Sequence, residues 1–213
     1  MKLREKYLRI PRADIYVIQE CENPETSSDK YYREFAENSI WIGDRNNKGL
    51  GVFASSGIKL EKLSWSAGCL KHFLPVRVDD KFNLLAVWAQ PSHIEDYFIY
   101  QSLNINNFDK RTIIMGDFST NVSFDKKHRE RTHMSVVQSL ENIGLYSVYH
   151  KVYNENLGQE TKPTCYLRKN LDIGYHFSYC FADFSVVKSF EILCDETRIK
   201  YSAHNPLVLE TDM

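Results

Sequence analysis

The segment Thr112-Ile-Ile-Met-Gly-Asp-Phe-Ser-Thr-Asn121 joins a run of apolar and β-branched residues to a short polar stretch. Such a run predicts a buried strand, and the polar residues then follow at its end. Two distant segments have a related organisation: Asp14-Ile-Tyr-Val-Ile-Gln-Glu20 ends in a carboxylate, and Tyr201-Ser-Ala-His-Asn-Pro206 leads into an apolar run. Because binding and catalytic groups concentrate on loops held by rigid strands, these segments predict a site at strand ends.

The remaining pattern predicts an α+β domain in which many strands are separated by a few helices. Helical spacing of apolar residues occurs over residues 2–9, which Pro11 closes, over 96–106, and over 133–143, where Gly144 provides a C-terminal cap. Further strands are predicted over residues 51–54, 82–89, 175–181 and 206–209.

Composition limits the class of protein. The chain has 213 residues, of which 43% are hydrophobic and 26% charged, which excludes a disordered or collagen-like chain and predicts one folded domain over residues 1–213. No apolar run is long enough for a membrane span and the first residues are charged, so a cytoplasmic location is expected. The five cysteines form no C-x-x-C pair and are expected to be reduced. A net charge of -1 means that any phosphate-binding surface must be local.

The ordered set of motifs resembles the endonuclease/exonuclease/phosphatase family, which has the fold of deoxyribonuclease I. The family shows a strand ending in Q-E, a G-D-F-N motif, a late I-D-Y strand and a terminal S-D-H-x-P, and this sequence keeps their order. A bacterial branch is the nearer likeness, on residues 48–53, 125–129 and 147–150. The resemblance implies a four-layer α/β/β/α sandwich of two mostly antiparallel sheets.

The resemblance also implies roles for individual side chains. Glu20 corresponds to the glutamate that binds Mg²⁺ or Mn²⁺, a hard cation suited to carboxylate oxygen. Asp117 corresponds to the residue that orients or deprotonates the attacking water, and His204 to the histidine that contacts the scissile phosphate. Ser119 stands where the family has a phosphate-binding asparagine, and Asn121 is close enough to assist it.

Three positions depart from the family pattern. Ser119 replaces the asparagine, Ser178 replaces the aspartate that orients the histidine, and Ala203 replaces a metal-binding aspartate. Ala203 alone would match an engineered inactivation, but three changes together favour natural degeneration. The strand with which the family begins is also absent, which predicts a narrower sheet or another segment in its place. These changes predict weakened or lost activity.

Three interpretations remain open. The first is a Mg²⁺-dependent phosphodiesterase or nuclease of reduced power, acting on nucleic acid or a phosphorylated small molecule. The second is a non-catalytic relative that binds a partner through the old cleft. The third is a truncated gene product, in which a protein partner or self-association covers an open sheet edge.

Each candidate also has a purely structural explanation. Glu20 fits a solvated loop, Asp117 and Asn121 fit turns, and His204 fits a histidine bonded to backbone. Five other histidines have no metal-ligand spacing: His72, His93, His133, His150 and His176. Trp41 and Trp88 are expected in the core. A basic cluster after the G-D-F motif predicts either a phosphate-attracting patch or a solvated loop; its members are Lys126, Lys127, His128, Arg129 and Arg131.

Overall fold

Strands dominate the architecture, which we describe from a computed structural model covering residues 11–90 and 94–213. The helix predicted over residues 2–9 and the histidine at position 93 lie outside the described residues. The α-helices are α1 (Lys30–Phe35), α2 (Ile94–Asn104), α3 (His133–Glu141) and α4 (Val148–Tyr153). The strands are β1 (Ile15–Cys21), β2 (Ser39–Arg45), β3 (Lys48–Ala54), β4 (Leu60–Lys62), β5 (Phe73–Val78), β6 (Phe82–Trp88), β7 (Thr112–Asp117), β8 (Tyr146–Ser147), β9 (Cys165–Tyr166), β10 (Gly174–Tyr175), β11 (Ser178–Ala182), β12 (Val187–Ile192) and β13 (Leu207–Thr211).

The largest sheet has six strands in the order β4-β5-β6-β7-β11-β8. Its pairings are antiparallel except for β6 and β7, which run parallel. Parallel neighbours need a crossover connection, and α2 lies in the connection between these two strands. The ends of β6 and β7 therefore meet at the same edge, where Trp88 is paired with Asp117.

Two smaller antiparallel sheets lie against one face of the six-stranded sheet: β1-β3-β2, and the pair β12-β13. One apolar cluster joins them to it, and includes Leu50 of β3, Leu84 of β6 and Ile192 of β12. On the opposite face of the six-stranded sheet a second cluster packs α2 and α3. A third cluster packs α1 outside the three-stranded sheet. The layers therefore run helices, sheet, paired sheets, helix, in a mixed α+β fold.

The predicted strands are found with shifts of one to three residues at their ends, with one exception. Residues 175–181 do not form one strand, because the chain leaves the ladder between β10 and β11. There the backbone N–H groups of Phe177 and Ser178 both donate to Oγ1 of Thr164, at 2.8 Å each. A side-chain hydroxyl thus takes the place of a ladder partner, which apolar patterning does not reveal.

The helices predicted over 96–106 and 133–143 correspond to α2 and α3. Gly144 has φ of 83°, and its N–H donates to the carbonyl of Glu141, as a C-terminal cap requires. Among the described residues, no helix has the length and apolarity needed to cross a bilayer. All five cysteines are free thiols.

A cavity of about 1060 Å³ separates the three-stranded sheet from the β12-β13 pair. Strands β1 and β13 line its two sides, and each is hydrogen-bonded on one side only among the described residues. Its floor includes Leu84, Ile113 and Met115 of the six-stranded sheet. Among the described residues, the second layer is therefore interrupted between β1 and β13.

Candidate functional site

Gly116 brings the end of β7 unusually close to β6. Its φ is 151°, and a side chain there would overlap the carbonyl oxygen of Val87. Only glycine tolerates both this conformation and this approach. The tight pairing places the next residue, Asp117, at the end of the strand beside Trp88 of β6 and Ser178 of β11.

Asp117 is a buried carboxylate, with 7% of its surface exposed. The backbone N–H of Ser119 donates to its Oδ1 at 2.7 Å, and the Ser119 hydroxyl lies 3.2 Å from its Oδ2. Burial raises the pKa of Asp117. The electrostatic effect of nearby His204 and the hydrogen bonds from Ser119 oppose that rise. A carboxyl whose pKa is raised in this way is a better proton acceptor than a surface aspartate.

Glu20 lies at a β-bulge near the end of β1 and has a left-handed backbone, with φ of 59°. Ser119 also has a left-handed backbone, with φ of 51°. Oε2 of Glu20 lies 3.4 Å from Nζ of Lys48, and the side chains of Glu20 and Lys48 are about half exposed. The Lys48 ammonium also lies 5.1 Å from the centre of the Trp88 ring. Backbone strain at a non-glycine residue that lines a cavity, as at Glu20, is typical of functional loops.

His204 precedes β13 and forms an isolated bridge with Cys165 of β9. Its Nε2 lies 3.6 Å from the Cys165 Sγ, and its backbone N–H donates to the Ser202 hydroxyl at 3.0 Å. Burial, together with the negative charges of Asp117 and Glu20, raises the pKa of Cys165 to about 12. The imidazole therefore faces a protonated thiol.

The three segments singled out in the sequence converge on one cavity. Glu20, Asp117 and His204 all line the space between β1 and β13. The carboxyl of Asp117 responds electrostatically to both other groups: His204 lowers its pKa and Glu20 raises it. The strand ends thus bring together side chains that are far apart in the chain.

Of the three positions at which the sequence departs from the family pattern, Ser178 and Ala203 line the same cavity. Ser178 pairs directly with Asp117 across β11 and β7, and it lines the cavity. Ala203 lines it as well, but its methyl group offers no oxygen ligand, and its carbonyl accepts from the N–H of Tyr166 at 2.7 Å. The Ser119 hydroxyl is engaged with Asp117. Ser178 and Ala203 therefore present a hydroxyl and a methyl group to the cavity, and neither side chain carries a charge.

Asn121 belongs to a different environment. Its Nδ2 donates to Oε2 of Glu160 at 2.9 Å and to the Tyr179 hydroxyl at 3.0 Å, and its Oδ1 accepts from the Ser123 N–H at 2.8 Å. These bonds occupy its amide in a buried network and in capping a 3₁₀ helix (Val122–Lys127). The phosphate-binding role expected of Asn121 is at odds with this geometry, because the amide group is already satisfied.

The buried network beside Asn121 was not predicted. Burial alone would raise the pKa of Glu160, but hydrogen bonds from His150, Asn121 and the N–H of Gly158 outweigh it and lower the pKa to about 2. Burial lowers the pKa of His133 to about 3 and that of His176 to about 4. Near neutral pH, Glu160 is therefore charged, while His133 and His176 are neutral. The hydrogen bonds of Glu160 hold the loop that follows α4.

Lys48 and Cys165 are the two residues near the site that sequence reasoning missed. Neither stands in a motif with a chemical signature, and only pairing across strands brings them to Glu20 and His204.

Trp88 is buried, and Trp41 is partly buried against the α1 cluster, as the sequence predicts for both. In the basic cluster His128 contacts Glu95, whereas four cations are exposed: Lys126, Lys127, Arg129 and Arg131.

The donor set has the chemistry of a weak site for a hard cation. In the part of the chain that the structure describes, no group of three or more histidine, cysteine or acidic side chains is placed to hold a metal alone. Mg²⁺ retains several waters and is commonly held by one or two carboxylates together with substrate phosphate. Glu20, with Asp117 in the same cavity, fits that mode of binding.

Comparison with known proteins shows the fold. No protein-family model matches the chain, and no curated protein matches it. Among solved structures, the 3′ phosphatase NExo from Neisseria, bound to a product DNA hairpin, has a TM-score of 0.69 at 13% identity, over 99% of this chain and 93% of that one. An AP endonuclease from Archaeoglobus fulgidus has a TM-score of 0.67 at 14% identity, over 99% and 91%. The endonuclease domain of a telomere-specific non-LTR retrotransposon has a TM-score of 0.57 at 15% identity, over 94% and 79%.

These neighbours are nucleases and a phosphatase of the deoxyribonuclease I-like fold. The chain therefore has that fold over nearly its whole length. At identities this low the comparison concerns architecture, and function has to be argued from the cavity itself.

Proposed function

We propose that this chain is a metal-dependent phosphodiester hydrolase of reduced power that acts on nucleic acid. The observation that carries the proposal is the convergence of Glu20, Asp117 and His204, from three distant segments, on one cavity. The fold is shared with a 3′ phosphatase bound to a product DNA hairpin and with an AP endonuclease, which supports nucleic acid as the substrate. The left-handed backbone of Glu20, a non-glycine residue that lines the cavity, agrees with a functional site.

Asp117 is the group that accepts a proton from the attacking water. Its buried carboxylate is fixed by two contacts from Ser119, and burial raises its pKa toward the range useful to a general base. Positioning of this kind removes part of the entropic cost of attack. Asp117 thus orients the water and takes up its proton.

His204 is the group that donates to the phosphate. A hydrogen bond aimed at a phosphoryl oxygen stabilises the charge that grows as the transition state forms. Glu20, on the opposite side of the cavity, would hold Mg²⁺ or Mn²⁺ through its carboxylate. When bound, that ion would neutralise charge on the phosphate and polarise it.

Reduced power follows from the replaced groups. A histidine oriented by a carboxylate keeps one tautomer, whereas His204 faces a protonated thiol in Cys165. General acid–base groups contribute roughly 10²- to 10⁴-fold, so poor orientation lowers the rate without abolishing it. The loss of a carboxylate at Ala203 further weakens the hold on a cation.

The test measures phosphodiester hydrolysis of single- and double-stranded DNA with Mg²⁺ or Mn²⁺ in wild type, Asp117→Asn and His204→Ala. We expect slow turnover in wild type that falls at least tenfold in each variant and stops with chelator. Asp172→Asn is the matched control, since it makes the same change at an exposed aspartate that does not line the cavity. Equal rates in wild type and both site variants would refute the proposal.

A second function is favoured by one observation. Ser178 and Ala203, which both line the cavity, stand where the family resemblance implies carboxylates. A binding protein that uses the cavity without turnover would show this pattern. It is distinguished by a wild type that binds DNA but gives the same hydrolysis as His204→Ala.

A further inference from the structure

Three aromatic side chains form a partly exposed surface beside the candidate site: Phe124, Tyr175 and Phe177, hereafter the aromatic platform. The rings of Tyr175 and Phe177 are parallel to within 3°, with centroids 4.9 Å apart. Phe124 lies 5.7 Å from Tyr175 and 5.8 Å from Phe177. The Lys127 ammonium lies 4.9 Å from the centre of the Phe124 ring.

The aromatic platform is not explained by the core. None of its three members belongs to the three apolar clusters that hold the described layers together. Large rings that remain partly exposed lose part of the burial that usually justifies an aromatic residue. Such a surface gains that burial when a flat ligand stacks on it.

Pairing across strands places the platform next to the site. Tyr175 pairs with Cys165, and Cys165 in turn bridges to His204. With neighbouring strands about 4.8 Å apart, the backbones of Tyr175 and His204 are roughly 10 Å apart. The carbonyl of Phe177 accepts from the N–H of Phe118, which follows Asp117 directly. The backbone of the platform is therefore close to the backbone of both proposed catalytic residues.

The platform is also rigid. Both Phe177 and the following Ser178 donate their backbone N–H to Oγ1 of Thr164 at 2.8 Å, and the N–H of Thr164 donates to the carbonyl of Tyr175. Thr164 is fully buried. A surface fixed in this way loses little conformational freedom when a ligand binds.

The charge around the platform favours a polyanion. Four exposed cations follow Phe124 within one short segment: Lys126, Lys127, Arg129 and Arg131. None of the four forms an ion pair with another described residue. Exposed basic side chains beside aromatic rings are the combination that binds single-stranded nucleic acid.

We infer that the aromatic platform stacks an unpaired nucleobase of a strand whose phosphate lies at Asp117 and His204. This inference rests on the proposed function and narrows its substrate to single-stranded or frayed nucleic acid. The four cations contact the neighbouring phosphates without reading sequence. Stacking accepts any base, because every base has a flat face.

The test is equilibrium binding measured by fluorescence anisotropy, with chelator present so that no turnover occurs. The probes are a labelled short oligothymidylate and a strand of equal length that carries abasic sites. We expect wild type to bind the oligothymidylate about tenfold more tightly. The double variant Tyr175→Leu/Phe177→Leu should lose this difference, while Phe184→Leu, at an exposed phenylalanine elsewhere, should keep it. Lys127→Ala should weaken both probes alike.

Equal affinity of wild type for the two probes would overturn the inference, and this comparison needs no variant to fold. Retention of base preference in the double leucine variant, with its fold verified by circular dichroism, would overturn it as well. Binding without metal separates the two claims. A chain that prefers bases but hydrolyses nothing contradicts the proposed function alone, and a hydrolase without base preference contradicts this inference alone.

Discussion

Nε2 of His204 lies 3.6 Å from Sγ of Cys165, on the wall of a cavity that also contains a buried aspartate. A thiol whose pKa is raised to about 12 by burial and by the charges of Asp117 and Glu20 carries no charge near neutral pH. It cannot favour an imidazolium as a carboxylate does. In the proposed function, His204 therefore has a neutral thiol at its Nε2 in place of a carboxylate.

Replacement of Ser178 by aspartate should supply the missing orientation. Ser178 lies opposite Asp117 and lines the same cavity as His204. We expect Ser178→Asp to raise the hydrolysis rate about tenfold or more, because a carboxylate fixes the imidazole tautomer. Ser178→Asn, of equal size and without charge, should give no gain. A rate below that of wild type in the aspartate variant would contradict the prediction.

Lys48 should compete with a divalent cation for Glu20. Its ammonium lies 3.4 Å from the Glu20 carboxylate. Removal of this positive charge in Lys48→Met should tighten Mg²⁺ or Mn²⁺ binding by about threefold to tenfold, measured by calorimetry. Lys59→Met, at a surface lysine paired with Asp80, is the matched control. Unchanged affinity in Lys48→Met would place the cation away from Glu20.

Gly116 should not tolerate a side chain. A methyl group there would overlap the Val87 carbonyl in a conformation that favours glycine. We expect Gly116→Ala to lower the free energy of unfolding by about 3 kcal/mol or more in urea denaturation. Gly57→Ala, where φ is 98° and nothing lies within 4 Å, should cost only about 1 kcal/mol. Equal costs at the two positions would show that close approach is unimportant.

Buried His133 should make the fold sensitive to acid. Neither of its ring nitrogens has a hydrogen-bond partner among the described residues, and burial lowers its pKa to about 3. The unfolded chain binds this proton near pH 6.5, so between pH 6.5 and 3 the unfolded state binds more protons than the folded state. Stability is therefore complete above pH 6.5 and falls as the pH drops toward 3.

The variant His133→Phe tests this link between burial and pH. It should remove up to about 1.4 kcal/mol per pH unit from the slope of unfolding free energy over that window. His176, whose pKa is about 4, should supply a remaining slope of the same sign. The measurement is urea denaturation at a series of pH values. An unchanged slope would show that His133 is not buried as a neutral ring.

The apolar runs of the sequence were sufficient to predict most of the central strands and the α+β class, because a buried strand has a direct signature in residue type. The interruption of the strand between Tyr175 and Ser178 was not predicted, because the hydroxyl of Thr164 takes the place of a strand partner there. The triad of Glu20, Asp117 and His204 was predicted as a constellation by motif order, and the roles of its members remain predictions.

Other parts of the site depend on contacts between distant segments. Cys165 reaches His204 through a single bridge, and Lys48 reaches Glu20 across neighbouring strands. The amide of Asn121 is occupied by Glu160, which lies far along the chain. No local pattern encodes these partners. The sequence therefore pointed to three residues that line one cavity, Glu20, Asp117 and His204, but not to the residues that contact them.

The interrupted second layer has a mechanical consequence for the site. Glu20 lies on the side of the cavity formed by β1, and His204 lies on the side formed by the segment that leads into β13. No hydrogen-bonded pairing joins β1 to β13. The distance between the side chains of Glu20 and His204 therefore depends on how these two sides pack against the cavity floor, which includes Leu84, Ile113 and Met115. Substitutions that repack the floor would widen or narrow the cavity between Glu20 and His204 without changing either side chain.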